Sequence, residues 1–317
     1  MASVAVALKE RGYAVTGSDN NVYPPMSTFL AERGIEVMSG YTEANLAGAP
    51  DLVVIGNAIS RGNPEAEAVL ERKLRYASLP ELLKDVFLPG KRSLVVTGTH
   101  GKTTTTSLLT WVFEHNGAQP SYLIGGIPEN LGQGARFTDS EWFILEGDEY
   151  DTAFFDKRSK FVHYRPEVAV VNNLEMDHAD IFEGVPAIQK SFSQFIRLIP
   201  RNGLLLANGD DANVAPLLEE AKYYPAKRFG LGESNDFRAT AVQLEGETSR
   251  FRLGSTEFTI PMSGEFNVRN ALAVTVCARP CGFTDARIQA AFDTFRSVKR
   301  RMELRGEPRG IAVVDDF

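Results

Sequence analysis

The chain has 317 residues, enough for two domains that each bury a core, with 43% hydrophobic and 24% charged residues as in ordinary globular proteins. Its net charge of −7 argues against a general nucleic-acid or anionic-membrane binder, while leaving room for a local basic site facing a phosphorylated ligand. No apolar run approaches the roughly 20 residues that span a bilayer, and no basic-then-apolar secretory signal opens the chain, so a cytoplasmic location is expected.

Residues 2–12 read as a helix leading into a strand at 13–19. A helix over 26–34, strands at 35–41 and 51–59, and a helix from 64 to 75 follow. This alternation predicts a parallel sheet with crossover helices, an α/β unit that begins without its initial strand. The connection SLPELLKDVFLPGKR places a boundary near 86, and a second doubly wound α/β unit takes strands from 120–126, 142–149, 167–173 and 203–208. Between 236 and 261 short alternating runs predict an antiparallel meander, followed by helices at 267–279 and 284–296. GIAVVDDF is a fresh strand signal at the end, so the expected division is 1–86, 87–308, and 309–317 as the start of a further domain. The cysteines, Cys277 and Cys281, are expected to be reduced thiols without metal.

The segment with the most chemistry is SLVVTGTHGKTTTTSLLTWVF, Ser93 to Phe113. An apolar strand, a glycine loop and a helix in that order form a phosphate site, because backbone N–H groups and the positive end of the helix dipole converge on one anion. The spacing departs from G-x-x-x-x-G-K-[ST], since Gly98 lies only three residues before Gly101. Lys102 is placed to reach β- and γ-phosphates, and the Thr103 hydroxyl to hold Mg²⁺. Magnesium needs further oxygen ligands. LEGDEYD, with Glu146, Asp148, Glu149 and Asp151, ends a predicted strand at the edge where open α/β sheets bind ligands. NNLEMDHAD, with His178, is expected at the same edge; a solvated acidic loop and a structural histidine are the alternative readings.

TGTHGKTTT, LEGDEYD, NNLEMDHAD, GEFNVRNALA and VKRRME, in this order, resemble the motif set of the Mur ligase family, ATP-dependent amide-forming enzymes of peptidoglycan synthesis. The resemblance covers essentially the whole chain and implies a Rossmann-like N-terminal domain followed by a P-loop-type ATP-binding α/β domain with a small antiparallel extension. DNNVYPPMSTFL (19–30) and DTAFFDKRSKFVHYRP (151–166) look most like the branch that joins UDP-N-acetylmuramate to L-alanyl-γ-D-glutamyl-meso-diaminopimelate in cell-wall recycling. The branch that adds L-alanine shares the loop but generally lacks the F-F-D-K-R-S-K-F segment.

By this resemblance Gly98, Thr99, His100, Gly101, Lys102, Thr103 and Thr104 surround the ATP phosphates. Thr103 and Glu146 hold one Mg²⁺ and His178 a second. Asn270 meets the adenine, Arg301 a phosphate and Asp316 the ribose. The sugar nucleotide falls to Ser18, Asp19 and Asn57 at strand ends of the first domain, with Ser18 and Asp19 equally suited to capping. Lys157 and Arg158, in a basic run with Lys160, His163 and Arg165, either contact an anionic substrate or form a solvated loop. Lys190 is the nearest lysine downstream of His178, but no modification is assigned to it. The family's glycine-rich first turn and its C-terminal domain have no counterpart in the sequence, so the expectation is an ATP site retained without turnover. A nucleotide-binding module that forms no bond is the reading from a different class.

Overall fold

A computed structural model describes the chain except residues 25, 178–180, 299–302, 307, 312 and 316–317. His178, Arg301 and Asp316 therefore lie outside the described residues.

The first part contains α1 (Ala2–Glu10), β1 (Thr16–Asp19), α2 (Met26–Glu32), β2 (Glu36–Ser39), β3 (Val53–Ile55), α3 (Pro64–Glu71), β4 (Tyr76–Ser78) and the short α4 (Leu79–Leu82). Strand β1 pairs in parallel with β2, and β3 with β4, each pair joined through a crossover helix. Among the described residues these are two separate two-stranded sheets. Helix α3 starts where the sequence says it should: the Asn63 side chain accepts from the N–H groups of Glu65 and Ala66, and Pro64 occupies the first turn. It stops at Glu71, four residues before the expected end, and Tyr76–Ser78 forms β4 instead.

Beyond residue 91 come β5 (Arg92–Thr97), α5 (Lys102–His115), β6 (Ser121–Leu123), β7 (Ala135–Arg136), β8 (Trp142–Glu146), β9 (Asp151–Ala153), β10 (Asp156–Ser159), β11 (Val168–Val171), α6 (Val185–Ile196) and β12 (Leu204–Asn208). They are followed by α7 (Ala215–Glu220), β13 (Ala226–Gly230), β14 (Phe237–Glu245), β15 (Thr248–Leu253), β16 (Thr256–Ile260), α8 (Glu265–Ala278), α9 (Asp285–Asp293), β17 (Glu303–Gly306) and β18 (Val313–Asp315). One ten-stranded sheet runs in the order β16-β15-β14-β13-β12-β11-β5-β8-β6-β7 among the described residues.

Strand β5 lies at the centre of the parallel part, with β11 on one side and β8 on the other. Its alternation sorts the core into two layers. Leu94 and Val96 pack with Leu108, Val112, Leu272 and Phe292 of α5, α8 and α9, while Val95 packs on the other face with Phe192, Phe195 and Leu217 of α6 and α7. Helices on both faces make this the expected doubly wound unit. The expected meander is present as β14–β16, but it continues the main sheet, since β14 lies parallel to β13 and antiparallel to β15. Strand β18 pairs back on β17.

The run DTAFFDKRS is a hairpin, β9–β10. Its charges are compatible with strands because they are paired at short range: Lys157 with Asp151, and Arg158 with Asp156 through two hydrogen bonds of 2.9 and 2.7 Å. At its turn, Phe154 and Phe155 pack against Ile55, Ala68 and Val69 of the first part, and Phe155 meets Tyr76 edge-on at 4.8 Å. No helix among the described residues is long and apolar enough to cross a membrane.

Candidate functional site

Strands β5, β8 and β11 are parallel neighbours and end at one edge, so the residues that follow each of them meet in space. The loop after β5 turns through two glycines with left-handed backbone, Gly98 at φ +133° and Gly101 at φ +77°, the latter immediately before α5. The surroundings also demand glycine here. A Cβ on Gly98 would lie 3.0 Å from the backbone nitrogen of Asn173, and one on Gly101 would lie 2.7 Å from Oδ1 of Asn270.

The loop is tied to the end of β11. Thr99 N–H donates to the Asn173 carbonyl at 3.0 Å, His100 N–H donates to Asn173 Oδ1 at 2.7 Å, and Glu175 N–H donates to the Thr99 hydroxyl at 2.9 Å. Helix α5 then begins at Lys102 with its first-turn N–H groups aimed back at the loop. Thr104 lies in that turn, half-buried, and the exposed His100 side chain approaches Glu175 at 3.6 Å.

Lys102 Nζ donates to the carbonyls of Gly98 at 2.7 Å and Thr99 at 3.0 Å, and to Glu149 Oε1 at 2.8 Å. Thr103 Oγ1 donates to Glu146 Oε1 at 2.7 Å, and Gly125 N–H donates to Glu146 Oε2 at 2.7 Å. Burial raises the Glu146 carboxyl pKa above its usual range, and the hydrogen bonds from Gly125 and Thr103 act against that rise. A carboxylate enclosed in this way beside a hydroxyl is an all-oxygen donor pair of the kind a hard divalent cation takes. Magnesium therefore fits Thr103 and Glu146.

Beyond the loop a cavity of about 260 Å³ is lined by His100, Gly101, Asn172, Phe229, Phe266 and Asn270, with Asn208 and Arg269 at its wall. Asn172 lines the cavity, and its Oδ1 is buried without a hydrogen-bond partner among the described residues. The cavity thus offers phenylalanine rings and amide groups next to the phosphate loop, a suitable lining for a base. Asn270 comes from buried α8 and stands against Gly101.

The remaining sequence-derived residues are more dispersed. Ser18 donates to Glu65, which accounts for it structurally. Asp19, exposed, accepts from Asn21 N–H at 3.1 Å and Tyr41 at 3.4 Å, and exposed Asn57 lies in the turn after β3. The basic run is largely matched by acids: besides the Lys157 and Arg158 pairs, Lys160 pairs with Asp148, and His163 Nε2 lies 3.0 Å from Asp156. Both cysteines are free, and burial pushes the Cys277 thiol well up and that of Cys281 to about 12. Sequence reasoning gave no role to Asn172, Asn173, Asn208, Arg269, Phe229 or Phe266, although Asn172 and Asn173 open NNLEMDHAD and Phe266 and Arg269 lie within GEFNVRNALA.

Models of known families match both parts: residues 96–278 match the Mur ligase middle domain, and residues 1–88 match the model described as Mur ligase family, catalytic domain. A UDP-N-acetylmuramate–L-alanyl-γ-D-glutamyl-meso-2,6-diaminoheptandioate ligase from Haemophilus influenzae is 46% identical over all of this chain and 70% of its own length. A UDP-N-acetylmuramate–L-alanine ligase from Geotalea daltonii is 36% identical over all of this chain and 68% of its own. Among solved structures, the UDP-N-acetylmuramate:L-alanyl-γ-D-glutamyl-meso-diaminopimelate ligase of Neisseria meningitides superposes with a TM-score of 0.88 at 41% identity, over 95% of this chain and 96% of that one.

Proposed function

Because this chain belongs to the Mur ligase family, we propose that it is an ATP-dependent amide ligase that joins UDP-N-acetylmuramate to L-alanyl-γ-D-glutamyl-meso-diaminopimelate in cytoplasmic peptidoglycan recycling. The observation that carries the chemistry is the convergence of Lys102, Thr103 and Glu146 at the ends of β5 and β8. The choice of peptide is supported by 46% identity to a tripeptide ligase against 36% to an L-alanine ligase. On this reading residues 1–86 take the sugar nucleotide, through Ser18, Asp19 and Asn57 with Lys157 and Arg158 from the hairpin, and residues 87–308 take ATP.

The lactyl carboxylate of the muramyl group is a poor electrophile. Its oxygen attacks the γ-phosphorus, the bond to the β-phosphate oxygen breaks, and ADP leaves an acyl phosphate. The alanine amine of the peptide attacks the acyl carbon, loses a proton and expels phosphate. The chain's part is to hold and neutralise. Gly101 and the first turn of α5 offer backbone N–H groups to the phosphates, while the N–H groups of Thr99 and His100 hold the loop to Asn173. Lys102 places its ammonium on the β- and γ-oxygens, and Thr104 adds a hydroxyl in the first turn of α5. The cavity wall at Asn270 seats the adenine, with Arg301 and Asp316 assigned to phosphate and ribose. Thr103 and Glu146 would hold one magnesium ion, with His178 assigned to a second, and the metal would supply Lewis-acid neutralisation of phosphate charge.

In the full-length protein, given ATP, Mg²⁺ and UDP-N-acetylmuramate, phosphate should be released when the tripeptide is added, whereas these 317 residues alone are expected to bind ATP without turnover. Release with L-alanine alone would assign it to the other branch. Nucleotide binding with no release for either acceptor would favour a binding module over a ligase.

A further inference from the structure

The Lys102 ammonium is fully engaged by protein oxygens. An ammonium has three protons to donate, and here they meet three protein oxygens: two carbonyls of its own loop, and Glu149 Oε1 at 2.8 Å. The carbonyls of Gly98 and Thr99 belong to the cradle, whereas Glu149 reaches in from the segment between β8 and β9 and is the partner that carries charge. The pair is screened from water, with side-chain exposure of 14% for Lys102 and 4% for Glu149. Glu149 is also held in place from behind: Ser159 Oγ on β10 donates to its carbonyl oxygen at 2.6 Å and shares a hydrogen bond of 2.6 Å with Ser191 on α6.

We propose that Glu149 is a positioning residue that holds Lys102 against the loop and is displaced from it by the terminal phosphates of ATP. The nucleotide must exchange a charge-assisted hydrogen bond for its own contact to Lys102, so Glu149 lowers ATP affinity by competing for the same ammonium. It also disfavours nucleotides too short to offer Lys102 a replacement anion, which makes the site selective for the triphosphate. This rests on the reading of the loop as a phosphate cradle, and binding of ATP by the unaltered chain tests that reading separately.

The test is calorimetric titration of the chain and of Glu149→Gln with ATP and with AMP in the presence of Mg²⁺, repeated in a Lys102→Met background. Glutamine keeps the shape and an acceptor oxygen but removes the charge. The variant should bind ATP about tenfold more tightly, the scale of one charge-assisted bond no longer in competition, and AMP unchanged. In the Lys102→Met background the gain should disappear. Unchanged or weaker ATP binding by Glu149→Gln, or loss of both nucleotides, would overturn the proposal. An equal gain for AMP, or a gain that persists without Lys102, would overturn it too, because Glu149 would then act by direct repulsion or through the fold.

Discussion

The Thr103 hydroxyl donates to Glu146 Oε1 across 2.7 Å, joining the first turn of the loop helix to the end of a neighbouring strand. Glu146 is held there at a cost, since burial raises its carboxyl pKa despite the opposing hydrogen bonds from Gly125 and Thr103. Glu146→Gln removes that buried charge, so the nucleotide-free chain should gain about 1 kcal/mol of stability at neutral pH. The same variant should lose the stabilisation that Mg²⁺ adds in the presence of ATP. Thermal melts with and without Mg²⁺–ATP measure both effects.

Gly101 combines left-handed backbone with a wall of side-chain amide, so Gly101→Ala should cost about 1–2 kcal/mol from the backbone alone and push Asn270 aside. Gly90, at φ +74° with nothing within 4 Å of a would-be Cβ, is the matched control. Gly90→Ala should cost similar stability and leave ATP affinity intact, whereas Gly101→Ala should lose ATP affinity. Urea unfolding paired with nucleotide titration separates the two.

The hairpin places Phe155 on the first part of the chain, where it meets Tyr76. Phe155→Ala removes that contact and opens space beside Ile55 and Val69. Because the ring is half-buried, the cost should be about 2 kcal/mol, below the range for a fully enclosed phenylalanine. Amide exchange should speed up in residues 53–78, with little change around α8.

Arg158 and His163 both bond Asp156, and the Arg158 hydrogen bonds lead in lowering its carboxyl pKa to about 2. A depressed carboxylate pKa contributes stability that is complete above the unfolded value of 3.8 and is lost as pH falls through about 2. Asp156→Asn should therefore destabilise the chain by about 1 kcal/mol at pH 7, after allowance for the partly exposed Arg158. The gap should narrow as pH falls from 4 towards 2, which chemical unfolding across that interval would follow.

The central part of the fold was legible because its strands are buried on both faces and read as unbroken apolar runs, as in Leu94 to Val96 and Val168 to Val171. The order strand, glycines, lysine, helix then located the loop. Strand β13 escaped notice because Lys227 and Arg228 on it are exposed and interrupt the apolar run, and β10 because Lys157 and Arg158 look like loop until their acidic partners are seen. In the site, Gly98, Gly101 and Lys102 are marked by their spacing. Glu149 stands out as one of four acids in LEGDEYD, though its pairing with Lys102 does not, and Asn172 and Asn173 open NNLEMDHAD without any local pattern that gives them a role. Only the parallel register of β5, β8 and β11 brings them to the loop.

The most direct test of the account is titration of this chain with ATP and Mg²⁺, compared with Lys102→Ala. Loss of the ammonium should weaken ATP binding by about 100-fold, in line with charged hydrogen bonds removed from a water-poor site, and should leave AMP binding unchanged. Equal ATP affinity in the two proteins, or no ATP binding by the unaltered chain, would contradict it.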